Sequence, residues 1–139
     1  MEQNKSLGLL SLCRKGANLV AGEEQVGAMA RAGKARLMLL ASDAGAHTLR
    51  RAKGFVAGTA QPLLTLPFTK DELGGALGIA SCALAAITDV RLAQAFVKTL
   101  GEPERYAELL KDMDARVGRV EKRRAEEKAH RRNVRQGKK

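Results

Sequence analysis

The sequence predicts an α/β fold with helices on both faces of a largely parallel or mixed sheet. Four short apolar segments alternate with stretches of helical spacing along the chain, and turn residues bound them. The hydrophobic fraction of 45% is enough for a core. At 139 residues the chain predicts one domain with a C-terminal extension rather than two full domains.

The first part of the chain predicts two helices and two strands. Residues 4–14 have helical spacing, and residues 19–21 form a short apolar strand. A second helix starts at Gly22 and ends at Gly33. Residues 36–41 form a continuous apolar run that is too short for a helix, so they predict a central strand buried on both faces.

Capping residues mark the next two helices. The pair Ser42–Asp43 predicts an N-cap for a helix that runs to about residue 57. Residues 62–67 predict a third strand, because a proline at each end suits strand termini. Thr69 and Glu72 have the spacing of a capping box, in which each side chain binds the other residue's backbone N–H.

The remaining elements are a short helix, a strand and two longer helices. The capped helix ends near Leu77, and residues 82–87 form a fourth apolar strand. Thr88 and Asp89 predict the cap of the next helix. That helix breaks at residues 101–103, where Pro103 suits the first position of another.

The last helix changes character along its length. Its first part carries an apolar stripe that predicts packing on the core, formed by Tyr106, Leu109 or Leu110, Met113, Val117 and Val120. Residues 121–139 hold nine basic residues against three acidic ones, so they carry six of the ten net positive charges. With no apolar face, this segment predicts a solvated helix or a disordered arm.

The charge predicts a polyanionic partner. A formal net charge of +10 and a pI near 10.1 suit phosphates, although charge alone does not separate nucleic acid from membrane headgroups. Only four aromatic residues are present (Phe55, Phe68, Phe96 and Tyr106), whereas proteins that bind single strands usually stack bases on several rings. The sequence therefore favours folded RNA, bound through its shape and backbone.

Several other classes are disfavoured. No apolar run approaches the ~18 residues of a membrane span, and the N-terminus lacks a signal-peptide layout, so we expect a cytoplasmic protein with no membrane partner. Cys13 and Cys82 lie apart in apolar surroundings and predict buried free thiols in a reducing compartment. The isolated His47 and His130 offer no metal-ligand set.

Catalysis is also disfavoured. The stretch from Gly27 to Lys34 superficially resembles a phosphate-binding P-loop, but five residues separate its glycines and Ala35 follows the lysine. No nucleophile, base and acid occur together. We expect no enzyme activity, no cofactor and no small-molecule substrate.

The start of the second helix permits two interpretations. Glu23 and Glu24 would be stabilised there by the helix dipole alone, by about 0.3–1 kcal/mol each. Alternatively, Gly22 allows another molecule to approach closely, free N–H groups suit phosphate, and Glu24 and Gln25 can accept from base amino groups. In either case Arg31, Lys34 and Arg36 nearby, together with the basic arm over 121–139, would offset the repulsion that the carboxylates cause.

Two stretches carry a resemblance to a known family. They are LVAGEEQVGAMARAGKARLMLLASDA at 19–44 and TKDELGGALGIASCALAAITD at 69–89. In this order of elements, the chain resembles the ribosomal protein superfamily of L-seven-Ae, L-thirty-e and S-twelve-e type, which binds kink-turn RNA, and more closely its small bacterial, ribosome-associated branch. The resemblance covers residues 4–98.

The resemblance implies a fold and a function. The fold is a three-layer α-β-α sandwich with a four-stranded mixed sheet over residues 1–100, followed by a C-terminal helix and basic tail over 101–139. The implied function is non-enzymatic binding of structured, kink-turn-like RNA by a ribosomal or ribosome-associated protein. A protein-interaction adaptor that has lost kink-turn specificity is the alternative. An RNA-modifying enzyme would need a further domain.

The resemblance also implies which residues contact RNA. In the family, the helix start enters a major groove beside sheared G·A pairs, and this chain matches at Gly22 and Gln25. Glu24 stands where Asn or Lys is usual, and Ala28 where Lys is usual. An apolar loop that packs on flipped-out bases corresponds to residues 78–80 and is about one residue shorter. The candidate RNA-binding residues are Gly22, Glu23, Glu24, Gln25, Arg31, Lys34, Arg36, Gly78, Ile79 and Ala80.

The basic tail adds a separate hypothesis. Phosphate contacts that do not depend on RNA sequence would come from residues of the arm over 121–139, and they would make the affinity salt-dependent. A charged extension that only aids solubility is the alternative. The candidate phosphate-binding residues are Arg123, Arg124, Arg131 and Arg132.

Overall fold

A computed structural model describes the backbone of residues 2–135 and the side chains of residues 5–132. Six helices and four strands are present in this part of the chain. The helices are α1 (Glu2–Lys15), α2 (Glu23–Arg31), α3 (Ala46–Val56), α4 (Lys70–Leu77), α5 (Val90–Thr99) and α6 (Ala107–Arg135). The strands are β1 (Leu19–Ala21), β2 (Leu37–Leu40), β3 (Leu63–Thr65) and β4 (Leu84–Ile87).

The four strands form one mixed sheet in the order β1-β4-β2-β3. β4 is antiparallel to both neighbours, so Ile87 lies opposite Leu19 on one side and Leu37 on the other. β2 and β3 are parallel, with Met38 opposite Leu63. Every residue of β2 and β4 is buried. This two-sided burial explains why residues 37–41 are an uninterrupted apolar run instead of an alternating one.

Helices cover both faces of the sheet. On one face, α1, α4 and α5 pack on Leu37, Leu39 and Ile87, with Phe96 of α5 fully buried among them. On the other face, α2 and α3 pack on the opposite side chains of the same strands, including Met38. The alternation of side chains along a strand therefore divides the core into two layers. This arrangement confirms the predicted three-layer α-β-α sandwich with a four-stranded mixed sheet.

The first part of helix α6 packs on the core, and its second part is exposed to solvent. Tyr106, in the turn before the helix, and Met113 are buried on the α1, α4 and α5 face, as the apolar stripe predicts. Val117 and Val120 are half-buried, whereas residues 121–132 are exposed throughout. The basic segment is thus helical as far as Arg135, and of the two predicted forms the solvated helix is the one observed.

The predicted cap at Ser42–Asp43 is wrong. Helix α3 begins at Ala46, and its N-cap is Gly45, which has no side-chain acceptor. The Asp43 carboxylate instead accepts from the Lys70 N–H at 2.8 Å, at the start of α4. The chain leaving β2 needs several residues to reach the outer layer. That path carries Asp43 to the N-terminus of a different helix, where a carboxylate is stabilising.

The predicted position of Pro103 is also wrong. The residues after the break form a turn, and α6 begins at Ala107, four residues later. The Tyr106 N–H donates to the Glu102 carbonyl at 3.2 Å within this turn. Burial of Tyr106 in the core directs the chain before a regular helix can start.

Two predicted caps are confirmed. Thr69 and Glu72 form the reciprocal capping box at the start of α4. Asp89 caps α5, because its carboxylate accepts from the N–H groups of Arg91 at 2.8 Å and Leu92 at 3.1 Å. Both caps bind within their own helix's first turn, so local sequence alone was sufficient to identify them.

A glycine in α4 permits close contact with the loop that follows the helix. A Cβ atom at Gly74 would lie 2.8 Å from the carbonyl oxygen of Ile79 and from the backbone of Ser81. Neighbouring Gly75 has nothing within 4 Å of its would-be Cβ. Gly74 is therefore required for the position of residues 78–81, whereas Gly75 is not.

We expect opposite effects from alanine at these two glycines. Gly74→Ala should lower the free energy of unfolding by about 1–3 kcal/mol, because the methyl group has no room against backbone atoms. Gly75→Ala should raise it by about 0.5–1 kcal/mol, because alanine favours the helix. Urea unfolding of both variants measures this. Equal effects would contradict the close contact at Gly74.

Candidate nucleic-acid interface

The predicted RNA-binding residues lie at opposite ends of the sheet. β1 and β2 finish, and antiparallel β4 starts, at the end where the Gly22 N–H donates to the Leu84 carbonyl at 2.9 Å. We call this the Gly22 end. Helix α2 starts there and ends at Arg31, near the opposite end of the sheet. Its nine residues span about 12 Å, so its two termini can serve different purposes.

The start of α2 is open to an approaching molecule. Gly22 is exposed and has φ 96° and ψ 150°, a backbone conformation that favours glycine. A Cβ atom there would meet nothing within 4 Å. As the N-cap, Gly22 has no side-chain acceptor, so the first-turn N–H groups remain available to an external acceptor.

The two adjacent carboxylates of α2 have different environments. Glu23 is half-buried, accepts from the Thr48 hydroxyl at 3.0 Å and pairs with Arg51 at 3.1 Å. Arg51 in turn lies over the Phe55 ring, 5.4 Å from its centroid. Glu24 is exposed. Helix α3 therefore engages the Glu23 carboxylate, while Glu24 is left facing solvent.

The contacts of Glu23 differ from the predicted charge balance. Its cationic partner is Arg51, and not the predicted group of Arg31, Lys34 and Arg36. Sequence reasoning missed Thr48 and Arg51, since nothing in the sequence shows that the first turns of α2 and α3 lie side by side. Exposed Glu24 and Gln25 are the polar side chains of the first turn that remain for a ligand.

The loop at 78–80 lies at the same end of the sheet. Gly78 ends α4 in the left-handed conformation, with φ 75°. Ile79 is half-buried against the core, and Ala80 is exposed. Two residues later, the Cys82 thiol donates to the Leu84 carbonyl at 3.4 Å, and the same oxygen accepts from the Gly22 N–H. The fold thus brings the loop and the start of α2 to one end of the sheet.

At the other end of the sheet, arginine side chains line a cleft of about 800 Å³. Its walls come from the end of α2, residues 59–61, the start of α5 and the middle of α6. We call it the arginine cleft. The arginines that line it are Arg31, Arg36, Arg116, Arg119, Arg123 and Arg124.

The arginine cleft divides the predicted basic residues. Arg31 and Arg36 of the core share it with Arg123 and Arg124 of the predicted tail. Lys34 lies exposed in the connection between α2 and β2 and does not line the cleft. The other two tail candidates, Arg131 and Arg132, are exposed farther along α6, beyond the lining residues.

Hydrogen bonds hold two walls of the cleft. The Gln61 side chain accepts from the Ala35 N–H at 3.0 Å and donates to the Ala30 carbonyl at 3.0 Å, which ties residues 59–61 to α2. Arg116 pairs with Asp112 at 3.1 Å and donates to the Ala60 carbonyl at 2.9 Å, which ties α6 to the same segment. Arg116 and Arg119 were not predicted, because they lie within the segment assigned to the apolar stripe.

The described residues contain neither a cluster of metal-ligating side chains nor a membrane-spanning helix. Among them, no three His, Cys, Asp or Glu side chains are grouped so that they could hold a metal ion. No described helix combines the length and apolar character needed to cross a membrane.

Solved structures share this fold. A protein of unknown function from Bacillus halodurans C is 28% identical, with a TM-score of 0.65, and the match covers 70% of this chain and 98% of that one. The Giardia lamblia 15.5kD RNA binding protein is 19% identical, with a TM-score of 0.59, covering 75% and 88%. The second likeness shows the fold alone. No protein-family model and no curated protein matches the chain.

The two carboxylates of α2 should differ in their effect on stability. We expect Glu23→Gln to lower the free energy of unfolding by about 0.5 kcal/mol more than Glu24→Gln, because only Glu23 has an ion pair with Arg51. Urea unfolding at low and high salt measures the difference, which should shrink as salt screens the pair. A double-mutant cycle with Arg51→Gln should account for the difference, and the absence of any coupling would contradict the assignment.

The buried thiols predict a loss of stability in alkali. Cys13 and Cys82 are both buried free thiols, as predicted, and burial raises the pKa of each above the ordinary value of 9.0. The thiols of the unfolded chain therefore lose their protons first as the pH rises. The thiol contribution to stability should be intact below pH 9 and decline above it.

Urea unfolding between about pH 7 and pH 10 tests this prediction. The matched control is the Cys13→Ala/Cys82→Ala variant, whose free energy of unfolding should fall less steeply over the alkaline part of the range. Parallel curves for the two proteins would contradict the prediction.

Proposed function

We propose that this protein is a non-enzymatic, cytoplasmic RNA-binding protein that recognises structured, kink-turn-like RNA and acts as a ribosomal or ribosome-associated protein. The observation that carries the proposal is the Gly22 end. There an open, glycine-capped helix start and the loop at 78–80 meet at one end of the sheet. The fold shared with the Giardia 15.5kD RNA binding protein supports the proposal.

The chemistry of the helix start suits RNA. Because Gly22 has no side chain and faces open space, an RNA backbone can approach the first turn of α2. The N–H groups there and the helix dipole favour a phosphate. The exposed oxygens of Glu24 and Gln25 can accept from the amino groups of guanine or cytosine on a base edge.

The loop provides a second, apolar contact. Ile79 packs partly on the core, and exposed Ala80 follows it, so the loop presents apolar surface at the same end of the sheet as the helix start. An unstacked base could lie against this surface. The close contact of Gly74 with Ile79 and Ser81 would hold the loop in position without an ordering cost on binding.

The test is a titration of the full chain with a kink-turn RNA duplex and with the same duplex after replacement of its G·A pairs, at two salt concentrations. We expect the intact motif to bind at least tenfold more tightly, which corresponds to about 1.4 kcal/mol. Equal, salt-sensitive affinity for the two duplexes would refute kink-turn recognition and favour the protein-interaction adaptor.

Two variants locate the contact at the start of α2. Gln25→Ala should reduce the preference for the intact motif by about tenfold, as expected for the loss of a good base contact. Ala28→Lys should increase affinity, because it adds a cation on an exposed position one turn into the helix. The control for Ala28→Lys is Glu104→Gln, which raises the net charge by the same amount at an exposed position in the turn before α6. An adaptor would gain nothing from Ala28→Lys.

A further inference from the structure

The arginine cleft is a built feature of the fold and not a mobile arm. It exists only where α6 passes the sandwich, and Arg116 connects the two through Asp112 on one side and the Ala60 carbonyl on the other. Arg91 of α5 approaches Glu121 of α6 at 4.0 Å, close to the same end of the sheet. Core and tail residues therefore form one surface.

Most of the positive charge in the cleft is not neutralised by the protein. Across residues 5–132, no carboxylate lies within ion-pair distance of Arg31, Arg119, Arg123 or Arg124. The acidic residue in the lining is Glu127, which pairs with Arg131 at 3.9 Å. A cleft lined by charges of one sign concentrates the field and attracts an anion of opposite sign.

The shape of the cleft favours an extended anion over a small enclosed one. Arg119, Arg123 and Arg124 line the cleft and are exposed. Arg119 and Arg123 lie four residues apart, which is about one turn of α6 or roughly 6 Å, and Arg124 follows directly. Exposed Lys128, Arg131 and Arg132 continue the positive surface beyond the cleft. A ligand that presents many phosphates in a row can use this whole length, whereas a single nucleotide cannot.

We propose that the arginine cleft binds the phosphate backbone of double-stranded RNA, as a second contact at the end of the sheet opposite Gly22. This inference rests on the proposed RNA binding. Guanidinium groups bind phosphate oxygens through paired hydrogen bonds, and such contacts position RNA without reading its sequence. Because α2 spans only about 12 Å, one RNA helix is long enough to reach both of its ends.

The test compares two charge-matched variants of the full chain. Arg119→Gln/Arg123→Gln removes two cations from the cleft. Lys98→Gln/Lys111→Gln removes two exposed cations from α5 and α6 outside its lining. The probes are the kink-turn duplex and a fully paired RNA duplex, and Kd is measured at 50 mM and 200 mM salt.

The cleft variant should lose salt dependence on both probes. Each lost phosphate contact lowers the salt slope by about one, so the ratio of Kd at 200 mM to Kd at 50 mM should fall about sixteenfold. The control pair should leave this ratio unchanged, and Arg119→Lys/Arg123→Lys should retain it. The preference for the kink-turn over the paired duplex should be the same in all variants.

The contrary outcomes are distinct. Equal loss of salt slope in both Gln pairs would mean that only net charge matters, and would contradict binding of RNA in the cleft. An unchanged salt slope in the cleft variant would also contradict binding of RNA in the cleft. If that variant in addition loses a stoichiometric affinity for a nucleoside triphosphate, the cleft binds a nucleotide instead of RNA. In those cases the proposed function stands. If the wild-type chain binds neither duplex at 50 mM salt, both proposals fail.

Discussion

The burial of β2 and β4 on both faces is the constraint on which the rest of the structure depends. All eight residues of these two strands are buried, so neither face of the central sheet can present a polar group to a ligand. Every helix must lie in an outer layer, and every connection must cross one of the two ends of the sheet. The open helix start at Gly22 and the arginine cleft lie at those two ends.

The elements that could be predicted from sequence are those specified by neighbouring residues. The apolar run at 37–41 and the caps at Thr69 and Asp89 depend on contacts within one strand or one helical turn. Asp43 could not be assigned in this way, because its partner is the N–H of Lys70, 27 positions away in sequence. The sequence shows that Asp43 can cap a helix, but only the path of the chain decides which helix.

The candidate site divides in the same way. Local chemistry identifies Gly22 and Gln25, because a glycine followed by polar residues at a helix start is visible in the sequence. Arg31 was predicted to bind RNA together with Gly22. The length of α2 instead places Arg31 at the far end of the sheet. Arg119 was missed because the apolar stripe of its segment predicts only packing on the core. Arg119 and Arg31 line one cleft in the folded chain but are far apart in sequence.

The separation of charge between the two ends has a physical consequence for the proposed RNA binding. At the Gly22 end, the exposed Glu24 carboxylate counteracts the attraction of the first-turn N–H groups for a phosphate, so contact there is most favourable when a base amino group satisfies the carboxylate. That end is suited to discrimination and contributes little attraction. Attraction must come from elsewhere on the surface. Arg31, Arg119, Arg123 and Arg124 lie at the opposite end, and none of these four has an ion pair among the described residues. Since phosphate contacts and base contacts are separable contributions, a protein divided in this way can hold RNA through one end and select it through the other.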